Sequence, residues 1–227
     1  MTTTLCLTSD LHGILPDSTP ECDILVIAGD LSPYWDHRLE FQQHWLTGKF
    51  AAWCKKQPAG KIIAIPGNHD RLIEIEKNRL LYNDPEVWTL MIDEPFEYRG
   101  IKFWGSPWSK KYNNWHFMLE ENGLFHRYEQ IPEGTDVLIS HGPPYGICDT
   151  IWYQEHENLG SAELFNRLRY TTIQLVVCGH IHTGHGIGAC NNTIVANASQ
   201  VNERYETVYQ PMMAHFEGNK LIDVRQL

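Results

Sequence analysis

Five short apolar runs punctuate the chain, each ending abruptly in polar or glycine residues: Leu5 to Thr8, Ile24 to Ala28, Ile62 to Pro66, Val137 to Ser140 and Leu175 to Cys178. Runs this short, mostly rich in β-branched side chains and bounded by such breaks, read as buried strands. Between the second and third, Phe41, Trp45, Leu46, Phe50 and Trp53 make roughly one apolar stripe at helical spacing. Asp36 is placed to cap that helix, and Pro58, Ala59 and Gly60 to stop it. A strand, helix, strand order implies a parallel pair with a right-handed crossover. The second half repeats the theme, with a helix from Ala162 to Arg169 capped by Ser161. Phe96 to Trp104 turns at Arg99-Gly100 and Ala214 to Val224 turns at Gly218-Asn219, both with hairpin chemistry. The stretch from Leu80 to Pro95 is too apolar for a free hinge, and no repeat or linker interrupts the pattern. The expectation is one α/β domain over residues 1–227, with a sheet on each side of a central core.

At 227 residues the chain is long enough to bury a substantial core. Its 42% hydrophobic and 20% charged content excludes wholesale disorder. No apolar run approaches the roughly 18 residues of a membrane-spanning helix. The N-terminus lacks the basic start and long apolar stretch of a signal peptide, so a cytoplasmic protein is expected. Cys6, Cys22, Cys54, Cys148, Cys178 and Cys190 form no C-x-x-C pair and read as reduced thiols. With 18 Lys and Arg against 28 Asp and Glu, the net charge of -10 would repel duplex nucleic acid. A phosphorylated ligand would therefore need an attraction other than surface charge.

Five polar clusters supply it: Asp10-Leu11-His12, Gly29-Asp30, the run Gly67, Asn68, His69 and Asp70, His141-Gly142, and the run Gly179, His180, Ile181 and His182. All stand immediately after expected strands, and the carboxyl ends of strands are where α/β sheets build ligand sites. Hard oxygens mixed with imidazole nitrogens suit Zn, Mn, Fe or Co better than Ca or Mg. Residues i and i+2 of an extended segment share a face, so Asp10 with His12, and His180 with His182, can each reach one site. Two such pairs suggest two metal ions, with Asp30 best placed to bridge them and Asn68 and His141 completing the second ion's surroundings.

As an ordered set, from Ser9 to about Ser199, these motifs resemble the calcineurin-like metallophosphoesterase superfamily. The segments Trp104 to Trp108, Asn114-Trp115, Ser140 to Pro144 with Asp149, Gly179 to Gly184, and Asn197 to Ser199 look like its metallophosphoesterase-domain subfamily, linked to cyclic nucleotides. The resemblance implies two mixed β-sheets packed as a sandwich flanked by helices. It implies that Asp10, His12, Asp30 and His182 hold one divalent transition-metal ion and Asp30, Asn68, His141 and His180 a second, with Mn favoured. His69, held by Asp70, would face the substrate and protonate the leaving oxygen or stabilise its developing charge. Unlike many relatives, Gly29-Asp30 continues as Leu31, Ser32 and Pro33, with no second acidic residue or arginine.

Two divalent ions about 3.5 to 4 Å apart bring the pKa of a shared water toward 7, and the resulting bridging hydroxide attacks phosphorus without a covalent enzyme intermediate. Two carboxylates and a hydroxide against about +4 of metal charge leave a site near +1, matched by a diester monoanion. No Arg or Lys is evident beside the motifs: Arg71 begins an expected helix and Lys110-Lys111 lie in an aromatic insertion. Trp104, Trp108, Tyr112, Trp115, Trp152 and Tyr153 could stack a nucleobase or simply fill the core. His185 reads as a loop histidine or a substrate contact. The expected activity is hydrolysis of a small, nucleotide-like phosphodiester; a phosphomonoesterase, a pyrophosphatase, a protein phosphatase or a non-catalytic scaffold would keep the same ligands.

Overall fold

Leu and Thr make up most of β1 (Thr2–Thr8), while Ile, Leu and Val fill the buried stretches of β2 (Cys22–Ala28) and β3 (Ala59–Ile65), and the alternation along each strand divides its side chains between two buried faces. In the computed structural model, which describes residues 2–76, 82–151 and 157–227, these strands begin two or three residues earlier than their apolar runs. Strands β4 (Thr89–Leu90), β5 (Glu94–Tyr98), β6 (Ile101–Ser106), β7 (Ser109–Lys110), β8 (Met118–Leu119) and β9 (Val137–Ser140) follow. The remainder are β10 (Thr150–Ile151), β11 (Glu157–Asn158), β12 (Leu175–Cys178), β13 (Gly186–Cys190), β14 (Thr193–Asn197), β15 (Met212–Glu217) and β16 (Lys220–Gln226).

Two six-stranded mixed sheets result, ordered β16-β15-β1-β2-β3-β4 and β13-β14-β12-β9-β6-β5. Four neighbouring strands in each run parallel, β1 to β4 in the first and β14, β12, β9 and β6 in the second. Leu5, Leu7, Ile24, Val26, Ile63 and Ile65 of the first sheet meet Phe103, Val137, Ile139, Leu175 and Val177 of the second in one shared core. The alternate residues Cys6, Leu25, Ile27, Leu138 and Val176 face outward under helices and loops. At the carboxyl ends an isolated parallel bridge pairs Ser9 with Ser199, joining the two sheets where the polar clusters lie.

The outer layer departs from expectation at one helix start. Helix α1 (Leu39–Trp45) runs through a π-helical turn (Leu46–Phe50) into α2 (Ala51–Cys54), and Arg38, not Asp36, occupies its cap position with no side-chain bond. The Asp36 carboxylate instead accepts from the Arg38 backbone N–H and guanidinium, a local ion pair that competes with capping. Three further helices are α3 (Arg71–Ile75), α4 (Glu121–Tyr128) and α5 (Ala162–Leu168). Ser161 does cap α5, its Oγ accepting from Leu164 N–H, and Glu121 of α4 adds acceptors for Ala162 and Glu163. The hairpins turn where their sequence says: Arg99 and Gly100 take φ of 52° and 80°, and Gly218 takes 61°. All six cysteines are free thiols, and among the described residues no helix is long and apolar enough to cross a membrane.

Ile139 is fully buried between the sheets, two residues before His141. Ile139→Ala removes three buried carbons and leaves a cavity, so a loss of about 2–5 kcal/mol is expected. A lowered urea midpoint at unchanged slope checks it.

Candidate metal centre

Three of the five polar clusters turn sharply off their strands. Asp10, His12, Asp30 and His180 adopt left-handed backbone with φ of 55°, 46°, 54° and 66°. Such conformations cost on the order of 1 kcal/mol or more for a non-glycine residue and persist only where surrounding bonds impose them. Here the Asp10 N–H donates to Gly29 O (3.1 Å) and the His12 N–H to Asp30 O (2.9 Å), tying the first loop to the second. A Cβ at Gly67 would collide with Asp30 and His141, and one at Gly179 with Ser9 and Asp10. The glycines of these motifs thus let the ligand-bearing loops touch.

Asp30 Oδ2 stands 3.4 Å from Nε2 of both His12 and His141. On the His12 side, Nε2 of His182 lies 3.2 Å from Nε2 of His12 and 3.6 Å from Asp10 Oδ1. On the other, His141 Nε2 lies 2.9 Å from Asn68 Oδ1. Three groupings bring potential ligand atoms within 4.8 Å of one another: Asp10, His12 and His182; His12, Asp30 and His69; and Asp10, Asp30 and His141. His180 joins none of them. Its N–H donates to both Asp10 oxygens (3.0 and 3.1 Å), and its ring centroid is 5.0 Å from that of His141.

These residues suit a divalent transition metal by the state of their nitrogens. Nδ1 of His141 donates to Ala28 O (2.9 Å) and Nδ1 of His182 to Asn202 O (3.0 Å). A carbonyl only accepts, so each Nδ1 carries a proton, and Nε2 is the nitrogen turned toward the carboxylates, where it donates while the ring is charged and offers a lone pair to a cation once it is neutral. Burial would raise Asp10, but the His182 bond and the charges of His182 and His141 hold it well below the usual carboxylate range. Burial is likewise outweighed at Asp30 by His141, His69 and His12, leaving it ionised. Burial pushes His12 and His180 down to about 3 and lowers His69 too. At His141 the Asp30 charge and hydrogen bond overcome burial and lift it to about 9, and the Asp10 hydrogen bond raises His182 in the same way. Before an ion binds, positive charge is therefore favoured on His141 and, beside Asp10, on His182.

Asp70 does not touch the His69 ring. Its Oδ2 accepts from Leu31 N–H (3.0 Å) and Gly67 N–H (2.8 Å), and its Oδ1 from Ser32 N–H (2.8 Å). These donors from two loops take up a fully buried carboxylate, so its role is to staple the loops carrying Asp30 and Asn68. Burial, then the Asp30 charge, lifts Asp70 to about 6. The His69 ring packs instead against His12 (4.7 Å between centroids), Trp115 (4.5 Å) and His37 (5.2 Å).

The aromatic expectations divide. Trp104 and Trp108, 5% and 8% exposed, belong to the core, whereas Trp115 and Tyr112 are 38% and 63% exposed. Trp152 and Tyr153 lie outside the described residues. His185 stacks on Tyr209 (4.1 Å) and donates to Ser199 O, the pattern of a loop histidine. Sequence reasoning passed over Tyr205, whose ring meets His12 edge-on (4.8 Å) and stacks on Tyr34 (4.0 Å), and also His37. These residues sit in irregular loops without motif spacing, so nothing local marked them. The lysines also need correcting: the β7 turn carries Lys110 and Lys111 to a cleft of about 400 Å³ whose opposite lining includes His180, His182 and Tyr205. Lys111 pairs with Glu120 (3.2 Å), while Lys110 makes no ion pair among the described residues.

The architecture and this cluster of ligands agree with comparisons to known proteins. Residues 4–184 match the family described as Calcineurin-like phosphoesterase. Human Metallophosphoesterase domain-containing protein 1 is 31% identical over 230 residues, covering 90% of this chain and 68% of that protein. A Caenorhabditis elegans UPF0046 protein is 27% identical over 223 residues, covering 89% of this chain and 75% of its own. A Thermus thermophilus crystal structure superposes with a TM-score of 0.59 at 13% identity, covering 100% of this chain and 99% of that one, a likeness of fold alone. The chain belongs to the calcineurin-like phosphoesterase family, with the domain of Metallophosphoesterase domain-containing protein 1 as its near kin.

Proposed function

We propose that this protein is a cytoplasmic, dinuclear metal-dependent phosphodiesterase, a single domain over residues 1–227, that hydrolyses a small base-bearing diester such as a cyclic nucleotide. The observation that carries the reading is the placement of Asp30 Oδ2, equidistant at 3.4 Å from imidazoles of two ligand groups. Asp10, His12 and His182 would share one divalent ion with Asp30, and Asn68, His141 and His180 the other, manganese being favoured. When bound, two such ions activate a water nucleophile and neutralise the phosphoryl oxygens. The chain's own residues do the rest. His141 and His182 keep Nε2 free by donating Nδ1–H to carbonyls. His69 stands beside His12 and Asp30, placed to donate a proton or a hydrogen bond to the leaving oxygen.

Charge supports the diester. Among the described residues only Asp10 and Asp30 supply carboxylates to the ligand groups, and the cleft lined by Lys110 and Lys111 is also lined by Glu157 and Glu203, so these side chains add no net positive excess for a dianion. Tyr112 and Tyr205 in the same cleft offer faces for a base, worth about 1–3 kcal/mol by stacking. A phosphomonoesterase is the second reading, favoured by the unpaired Lys110. With matched aryl esters under saturating manganese, kcat/KM is expected to be higher for the diester; a higher value for the monoester assigns the site to the second reading.

Asp30→Ala is expected to abolish activity and reduce bound manganese below two ions per chain by elemental analysis. His69→Ala should retain both ions and lose about 10²- to 10⁴-fold in kcat, less for a nitrophenolate than for an alkoxide leaving group. Equal losses on both esters would exclude protonation of the leaving group by His69.

Stability of the ion-free protein should depend on pH through His141. Its folded pKa of about 9 exceeds the unfolded value of 6.5, so its contribution is fully present below pH 6.5 and lost as pH rises through 9. The melting temperature in excess chelator is expected to fall between pH 7 and 9.5, and to fall less in His141→Asn.

A further inference from the structure

We propose that Gln42 is a positioning residue for His69, setting from helix α1 where the imidazole stands. The inference rests on the reading of His69 as the residue that serves the leaving oxygen. Gln42 is fully buried, where an amide left without partners costs on the order of 1–3 kcal/mol. Both its ends are engaged: Nε2 donates to His69 O (2.6 Å) and Oε1 accepts from Leu72 N–H (2.8 Å).

The need for an outside clamp follows from Asp70. It occupies the cap position of α3 yet makes no capping bond, because its carboxylate serves Leu31, Ser32 and Gly67. A helix start leaves its first N–H groups unpartnered, and Gln42 supplies the acceptor that Asp70 does not. His69 in turn has no hydrogen bond on Nδ1, which is buried and without a partner. With no bond to that nitrogen, the direction of the ring is governed by its backbone and the rings beside it. That backbone is held on one side by Asp30 Oδ1, which accepts from His69 N–H (2.8 Å), and on the other by Gln42. Asp30 belongs to the candidate ligand set, so Gln42 is the determinant from outside it. Trp45, one turn further along α1, donates Nε1–H to Leu31 O (3.0 Å), so the same helix face also holds the loop after β2.

Gln42→Met keeps the length and volume but removes both hydrogen bonds; Gln42→Asn keeps an amide too short to span His69 O and Leu72 N, and serves if the first variant does not fold. Each is compared, manganese-loaded, with wild type, His69→Ala and the double variant, on alkyl and aryl esters of whichever phosphate class wild type hydrolyses better. Gln42→Met is expected to lower kcat on the alkyl ester about 10- to 100-fold and on the aryl ester less than about fivefold, with KM within about threefold. Added to His69→Ala, it should cost less than about a further twofold. In the ion-free protein, the His69 ring signal in carbon-proton NMR, assigned by its loss in His69→Ala, should shift or broaden in the Gln42 variants. Equal losses on both esters, full multiplicativity with His69→Ala, or an unmoved ring signal would overturn the assignment. Preference for monoesters would overturn the diester reading while leaving this coupling intact. If no ester is hydrolysed, the proposed function falls and the ring signal alone decides the role of Gln42.

Discussion

Asp30 is engaged by three loops at once. Its carbonyl accepts from His12, its Oδ1 accepts from His69, and its Oδ2 lies midway between His12 and His141. These contacts bring the ends of β1, β3 and β9 to a common point. The left-handed backbone at Asp30 and the missing side chain at Gly67 are conditions of that contact, since a Cβ at Gly67 would occupy the space of the Asp30 carboxylate. The parallel strands deliver the loops to one edge, and this carboxylate fixes their separations.

Two fully buried carboxylates would be prohibitively costly alone in a protein interior. The chain compensates with imidazoles rather than lysines or arginines. Imidazole can carry a proton, as His141 does beside Asp30, or give the same nitrogen lone pair to a cation. His12 and His180 are driven neutral by burial, while Asp30 and Asp10 favour the charged forms of His141 and His182, so the protons that offset the two carboxylates are directed to two of the four rings.

Much of this was legible in the sequence. Short apolar runs marked β1, β2, β3, β9 and β12 because strands buried on both faces need no alternation, and their polar ends marked the site because loops at a parallel edge must converge. Hairpin turns announced themselves through Arg99-Gly100 and Gly218-Asn219, where backbone conformation restricts the residue type. What was hidden depends on tertiary approach. Asp70 stands next to His69 in sequence, yet its carboxylate turns to Leu31, Ser32 and Gly67, a choice made by donors some 39 positions away. Tyr205, in an irregular loop, and Lys110, in the two-residue strand β7, reach the site along paths that no local pattern encodes. Asp36 was read as a cap because its type suits one, but a neighbouring guanidinium competed for it.

The bridge between Ser9 and Ser199 closes a seam that runs through the middle of the candidate ligand set. Asp10, His12, Asp30 and Asn68 hang from the first sheet, while His141, His180 and His182 hang from the second; His12 and His182, whose nitrogens are 3.2 Å apart, are separated by 170 positions in the chain. Any cation that spans the seam is therefore a rivet between halves that are otherwise joined by apolar packing and a few hydrogen bonds at this edge. Neither half alone can offer it a full set of donors, so it adheres only to the assembled sandwich and adds its binding free energy to that state, about 4 kcal/mol at a thousandfold excess over Kd. A chain still emerging from the ribosome cannot complete this set of donors until His182 is out, so such a cation would add its stabilisation only late in synthesis.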